Sequence, residues 1–413
     1  MKNQPSIFKG CDFTTPVTIL KCVEESYIGL GIVRSLGRLG VPVYPVISSK
    51  KTPSRLSRYS QCRFFPKLDA STPDEVLIEY LLQVAETIGR DSVLIATMDS
   101  YAKVVSGYSE ILRKHFLFGC ADYDIVKNLC SKQGLFFLAT RHKVSTAMAS
   151  FPHSEIDADE FSQNAVFPVV MKAIDWTVLE GRPLTKTMIV RNRRELIHEY
   201  SKHQEHGFPN VMLQEYIPET GGQDWMFNGY FDDQSNCLIS FTGRKLRQSP
   251  VYTGYSSLGV CETNETVEDI SIKFLKEISY RGVVDIDYRY DARDGLYKIL
   301  DVNPRVGASF RLFVGERGLD VIRAMYLDKT GQEVPKDRPV PGRKWIVEES
   351  DLRSAFTYYR HHGLRIGQWI ASLRGVREGA WFAADDPMPF LARILDLVSK
   401  KAKDCREAKT ART

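Results

Sequence analysis

The stretch Val283-Val-Asp-Ile-Asp-Tyr-Arg-Tyr290, followed after the turn Asp291-Ala-Arg-Asp-Gly295 by Leu296-Tyr-Lys-Ile-Leu-Asp-Val-Asn-Pro-Arg305, reads as an antiparallel hairpin. Side chains repeat every two residues along a strand, so Asp285 and Asp287 share one face, as do Asp301 and Asn303. Three carboxylates and an amide oxygen therefore converge across one strand pair. Like charges this close are unfavourable unless a cation lies between them, and hard oxygen donors suit Mg²⁺, with Mn²⁺ as the alternative. Solvation around the turn accounts for Asp291 and Asp294, but poorly for carboxylates that alternate with Val284, Ile286, Leu300 and Val302. Pro304 and Arg305 follow at once, and a fixed guanidinium beside such a cluster is suited to phosphate oxygens or a substrate carboxylate.

Upstream, Lys172 is the sole charge at the end of the apolar run Val169-Val-Met171, so it either snorkels to solvent or meets an anion. The segment Gly243-Arg-Lys-Leu-Arg-Gln248 follows the expected strand Leu238–Thr242 and adds Arg244, Lys245 and Arg247 as a candidate anion site. At the start of the chain, Val17–Val23 and Val41–Ile47 read as strands flanking a helical stretch, Ser26–Leu39. A helix over Glu75–Ile88, a buried strand over Ser92–Ala96 and a helix over Tyr101–Leu112 follow. Strands alternating with helices imply an α/β fold with a parallel sheet. Gly29, Gly31 and Gly37 suggest a dinucleotide fingerprint, but position 34 is Arg and the glycines fall inside the helix, which favours close helix–strand packing. Asp99, beyond a strand end, reads as a helix N-cap or a ligand contact. A single helix is expected over Ile125–Leu138, and Pro335, Pro339 and Pro341 mark a boundary.

The 413 residues carry 56 Lys and Arg against 51 Asp and Glu, a net charge of +5, too small a bias to point to nucleic acid. With 43% hydrophobic residues the chain is globular rather than disordered, and no apolar run approaches the ~18 residues of a membrane span. Eight scattered cysteines without a CxxC pair, and the lack of an apolar leader, lead us to expect a reducing, cytoplasmic setting.

The order of elements over roughly residues 16 to 330 resembles the ATP-grasp superfamily, specifically its carboxylate–amine ligases. The resemblance rests on Phe167-Pro-Val-Val-Met-Lys172, Val211-Met-Leu-Gln-Glu-Tyr-Ile-Pro218 and the set Asp287…Leu300-Asp-Val-Asn-Pro-Arg305. It implies an α/β N-terminal, Rossmann-like pre-ATP-grasp domain over 1–121. A two-lobed α+β grasp would follow, with a small lobe over 122–210, a large lobe with the metal site over 211–342, and a C-terminal extension over 343–413. It further implies that Lys132 and Lys172 hold the ATP phosphates, that Lys186 closes over them, and that Gln214, Glu215, Tyr216 and Ile217 form the adenine hinge. Asp224 would take the ribose hydroxyls, and Asp287, Asp301 and Asn303 the metal. Arg305 and Lys172 would be catalytic cations, to which the candidate anion site adds Arg244. Two departures stand out: the lid, Ile174 to Thr185, contains only Gly181, and Asp301 and Gln214 stand where Glu is commoner.

The activity so implied is joining a carboxylate to an amine, on amino-acid or peptide-like substrates, through an acyl phosphate. Nucleotide binding without turnover and nicotinamide-dependent oxidoreduction are the rival readings. Residues 343–413 hold 14 Lys and Arg against 9 Asp and Glu, so the whole net charge belongs there. Arg360, Arg365, Arg374 and Arg377 interleave with Trp369 and Leu373, which suits either a packed accessory helix or a weak contact with an anionic membrane surface.

Overall fold

A computed structural model describes residues 6–22, 26–47, 49, 51–64, 66, 72–174, 187–203, 210–218, 223–251 and 254–410. The aliphatic strand Val17–Cys22 (β1) pairs in parallel with Val43–Ile47 (β2) and Ser92–Ala96 (β3), and β3 pairs with Phe116–Leu117 (β4), in the order β2-β1-β3-β4. Helix Ile28–Gly37 connects β1 to β2 and buries Leu30, Ile32, Val33 and Leu36. Two of its glycines, Gly31 and Gly37, serve close packing, but against a 3-10 turn and a loop rather than a strand. A Cβ on Gly31 would lie 2.9 Å from the Phe310 ring, and one on Gly37 would lie 2.5 Å from Tyr59 Cβ.

The second sheet is antiparallel and small. Ala149–Ser150 (β5), Val169–Ala173 (β6), Thr187–Val190 (β7) and Val211–Glu215 (β8) run in the order β5-β8-β6-β7 over a core of Val169, Met171, Leu196, Tyr200 and Leu213. The strand β8 completes this sheet, because Leu213 and Gln214 pair with Met171 and Val170, although the expected boundary at 210/211 gave it to the next lobe.

Seven strands form the third sheet: Asp224–Phe231 (β9), Cys237–Ser249 (β10), Tyr255–Cys261 (β11), Gly282–Asp291 (β12), Leu296–Asn303 (β13), Lys344–Ile346 (β14) and Val376–Gly379 (β15). Their order is β13-β12-β9-β10-β11-β14-β15. One face sends Met226, Tyr230 and Phe241 into a core with Phe310, Leu312, Ile322 and Trp345. The opposite face packs Trp225, Phe227, Ile286 and Tyr288 on Phe274 and Leu275 of helix Glu265–Glu277. Each such side chain contributes roughly 1.5–3 kcal/mol by leaving water. The expected helix over Ile125–Leu138 is broken into Tyr123–Cys130 and Lys132–Arg141 by Ser131. The Ser131 hydroxyl caps the second helix by accepting from Gly134 N at 3.2 Å, which sets Lys132 in the helix's first turn.

The C-terminal segment is built into this body rather than standing apart. Besides supplying β14 and β15, it is clamped to the first α/β unit by Asp385 and Asp386. Arg34 Nε donates to Asp386 at 2.9 Å, and its Nη2 donates to the carbonyls of Trp381 and Asp386, both at 2.8 Å. Arg38 grips Asp385 through two nitrogens, each at 2.9 Å.

Candidate functional site

The hairpin β12–β13 sets Asp287 directly opposite Asp301 and Asp285 opposite Asn303, so the four oxygen-bearing side chains share one face. At a cross-strand separation of about 5 Å, two carboxylates repel by roughly 3 kcal/mol at an effective dielectric near 20. The protein offsets this with lysines brought from other elements. Lys245 of β10 reaches Asp287 at 2.7 Å, and Lys132 ion-pairs with Asp301. Burial opposes ionisation of Asp301, but Lys132, Lys172 and Arg305 outweigh it and hold the carboxyl below its ordinary range. The balance is reversed at Asp285, where burial and the Asp287 charge push the group up to about 7. Its Oδ1 is buried without a partner, and the backbone at Gly307 lies so close that a Cβ there would come 2.3 Å from its carboxyl carbon.

Arg305 is fixed on three sides. It donates to Asp99 Oδ1 at 2.8 Å, Asn303 Oδ1 at 2.8 Å and the Val306 carbonyl at 2.9 Å. The N-cap of helix Asp99–Gly107 is Met98, so Asp99 is the first helical residue and its carboxylate orients Arg305 from the N-terminal unit.

Facing this cluster, Lys172 of β6 donates to Gln214 Oε1 at 2.7 Å. Burial, and then the neighbouring Lys132, push its ammonium down to about 8 against the pull of Asp301. The backbones of Gln214 and Glu215 lie in the ladder with β6, and the chain leaves the sheet at Tyr216 and Ile217. The Glu215 carboxylate turns to Arg293 at 2.8 Å and Lys298 at 3.7 Å, which ties the strand end to the hairpin. Asp224 is already engaged: Arg289 grips both its oxygens, at 2.6 and 2.9 Å, and Gln248 also donates to it. The structure therefore brings together Lys132, Lys172, Gln214, Asp224, Asp287, Asp301, Asn303 and Arg305. Lys186 lies outside the described residues.

Arg244 is a correction. Because β10 continues to Ser249, Arg244 and Lys245 alternate to opposite faces. Lys245 meets Asp287, whereas Arg244 turns away to Glu262 at 2.7 Å and lies over the Trp225 ring at 5.7 Å. Past a break in register between Lys245 and Arg247, the latter forms a buried ion pair with Asp351. Arg289 was not singled out from the sequence, although its spacing of two from Asp287 carried the signal. Gln248 had no such signal, because its partner Asp224 lies on another strand.

Among the described residues no three Asp, Glu, His or Cys side chains form a ready-made metal cage. Two carboxylates and a carboxamide on one face nonetheless fit Mg²⁺, which is usually held by one or two carboxylates and completes its shell with water and phosphate oxygens.

No family model matches the chain. It is similar to a D-aspartate ligase of Enterococcus faecium, 25% identical over 300 residues, spanning 68% of this chain and 69% of that protein. Its fold matches an L-amino acid ligase from Bacillus licheniformis with a TM-score of 0.60 at 13% identity, over 80% of this chain and 79% of that one. An N5-carboxyaminoimidazole synthetase from Staphylococcus aureus, solved with ADP, gives a TM-score of 0.60 at 12% identity over 80% and 81% of the two chains.

Proposed function

We propose that this chain, an ATP-grasp protein of the carboxylate–amine ligase type, joins a small-molecule carboxylate to an amine with the cleavage of ATP to ADP and phosphate. The observation that carries this reading is the meeting of Lys132 from a helix, Lys172 from the small sheet, and Asp301 and Arg305 from the end of the hairpin, at the edge where the small sheet faces the hairpin. A carboxylate oxygen is a poor leaving group. Transfer of the γ-phosphoryl group to it gives an acyl phosphate, from which phosphate departs when the amine attacks the acyl carbon.

Catalysis of this kind is positioning and charge neutralisation. Lys132 and Lys172 bind the phosphates, and Gln214 with the backbone of Glu215 to Ile217 receives adenine. Arg305, held by Asp99 and Asn303, steadies the transferring group. Arg289, braced by Asp224, adds a cation beside Lys172, and Asp224 reaches the ribose when Gln248 yields. Mg²⁺, held by Asp287, Asp301 and Asn303, neutralises phosphate charge when bound, and Mn²⁺ shares its preference for oxygen. The substrates are amino acids or short peptides rather than nucleic acid, and the cytoplasm, where ATP is plentiful, is the working compartment.

The test is to supply the protein with Mg·ATP, a panel of amino acids including D-aspartate, and hydroxylamine as the trapping amine. Formation of a hydroxamate with stoichiometric ADP is expected for at least one acid. ATP binding without ADP release across the panel overturns the ligase reading in favour of a nucleotide-binding protein.

A further inference from the structure

We infer that the C-terminal helices form a docking surface for an anionic lipid membrane, independently of the ATP site. Three successive helices leave apolar residues uncovered at helical spacing. On Glu348–His362, Leu352, Phe356 and Tyr359 are exposed at intervals of four and three. On Ile366–Ser372, Ile366 is 63% and Ile370 58% exposed. On Met388–Thr410, Leu395 is 70% and Val398 62% exposed, again one turn apart. Such spacing lines up side chains on one face of each helix, and that face stays largely exposed, with Arg360 of the first helix lying over the Phe356 ring at 5.5 Å. Arg393 joins the last helix to the first, pairing with Glu349 at 3.0 Å.

Charge decides the occupant. Three of the segment's acids are buried against arginines, Asp351 on Arg247, Glu378 on Arg311 and Arg343, and Asp386 on Arg34, while Asp385 is held by Arg38 and Asp396 by Lys400. Arg343 and Arg393 are engaged with Glu378 and Glu349, but five other arginines of the segment, Arg353, Arg360, Arg365, Arg374 and Arg377, are exposed. The exposed charge of the described part of this segment is therefore dominated by arginine, in line with the formal excess of +5 over residues 343–413. Two copies meeting through it would bring like charges together, whereas anionic headgroups complement it, and apolar residues flanked by arginines suit the boundary between headgroup and acyl chain. No helix among the described residues is long and apolar enough to cross a membrane, so the contact is peripheral.

The full chain is pelleted with vesicles of phosphatidylglycerol and phosphatidylcholine, and with vesicles of phosphatidylcholine alone, at low and high salt. At least tenfold stronger partitioning to the anionic vesicles is expected at low salt, and most of it is lost at high salt. I370E/L395E and, separately, R360E/R374E should each reduce partitioning at least tenfold with no change in melting temperature, because all four side chains are exposed. Equal or absent binding to the two vesicle types overturns the inference. So does a dimer in sedimentation equilibrium that I370E/L395E abolishes, since the face would then join copies of the chain. Neither outcome bears on the ligase reading, which the hydroxamate assay tests separately.

Discussion

Two clusters of opposed charge, one at a seam and one in the cleft, are neutralised differently. At the seam between the N-terminal unit and the C-terminal segment, carboxylates meet arginines: Arg34 on Asp386, Arg38 on Asp385, Arg311 on Glu378 and Asp320. At the cleft, the hairpin carboxylates meet lysines, Lys245 on Asp287 and Lys132 on Asp301. A guanidinium fork satisfies several acceptors in one fixed geometry, whereas an ammonium is a point charge on a flexible stem. The seam is therefore a closed structural lock, and the cleft holds cations that can be handed over to a phosphate. Ionisation follows the same division. Burial opposes the Glu378 charge, yet Arg311, Arg38 and Arg343 hold it down to about 2, whereas burial leaves Asp287 raised in the cleft.

The sharpest way to break this contrast is Asp386→Ala. It strands the buried Arg34 and should cost about 3–5 kcal/mol of stability, read as a lower denaturation midpoint with the slope unchanged. Intact stability would show that the seam is no lock. Asp301→Asn should do the reverse, leaving the denaturation midpoint close to wild type while lowering ATP turnover by about 10²–10³-fold. Unchanged Mg²⁺-dependent turnover would remove Asp301 from the site.

A smaller effect is expected from pH. If Lys172 holds a phosphate as proposed, it does so in its charged form, and because burial and Lys132 push its ammonium down to about 8, affinity for ATP should be greatest below that value. Bound phosphate raises the pKa, spreading the loss over the range above 8. Calorimetric titration with ATP from pH 7 to about 9.5 should show several-fold weakening, and Lys172→Arg should flatten the profile. The smallest effect belongs to Arg244→Ala. That side chain is solvent-exposed in part and faces Glu262, so turnover should change by less than about threefold. A large loss there would mean that the faces of β10 are wrongly assigned.

The hairpin was legible because a period of two is a local property: Asp285, Asp287, Asp301 and Asn303 fall on one face whatever the rest of the chain does. Lys172 was legible as a lone charge ending an apolar strand. Arg244 and Lys245 could not be told apart, because the choice depends on how far β10 extends, and that is settled by its pairing with β11. The place of β8 was likewise decided by its backbone partners in β6, to which its own side-chain pattern is indifferent.

The chain's own order of residues determined the alternating α/β opening, the clustered oxygen donors and the concentration of positive charge in residues 343–413, since each depends on neighbours a few positions apart. Only the tertiary structure decided which cation opposes which carboxylate, that Asp99 orients Arg305 across 206 positions, and that the Asp385-Asp386 pair is a clamp on Arg34 and Arg38. Ion pairs act over a few ångströms of space, and the separation of their members along the chain carries no record of that distance.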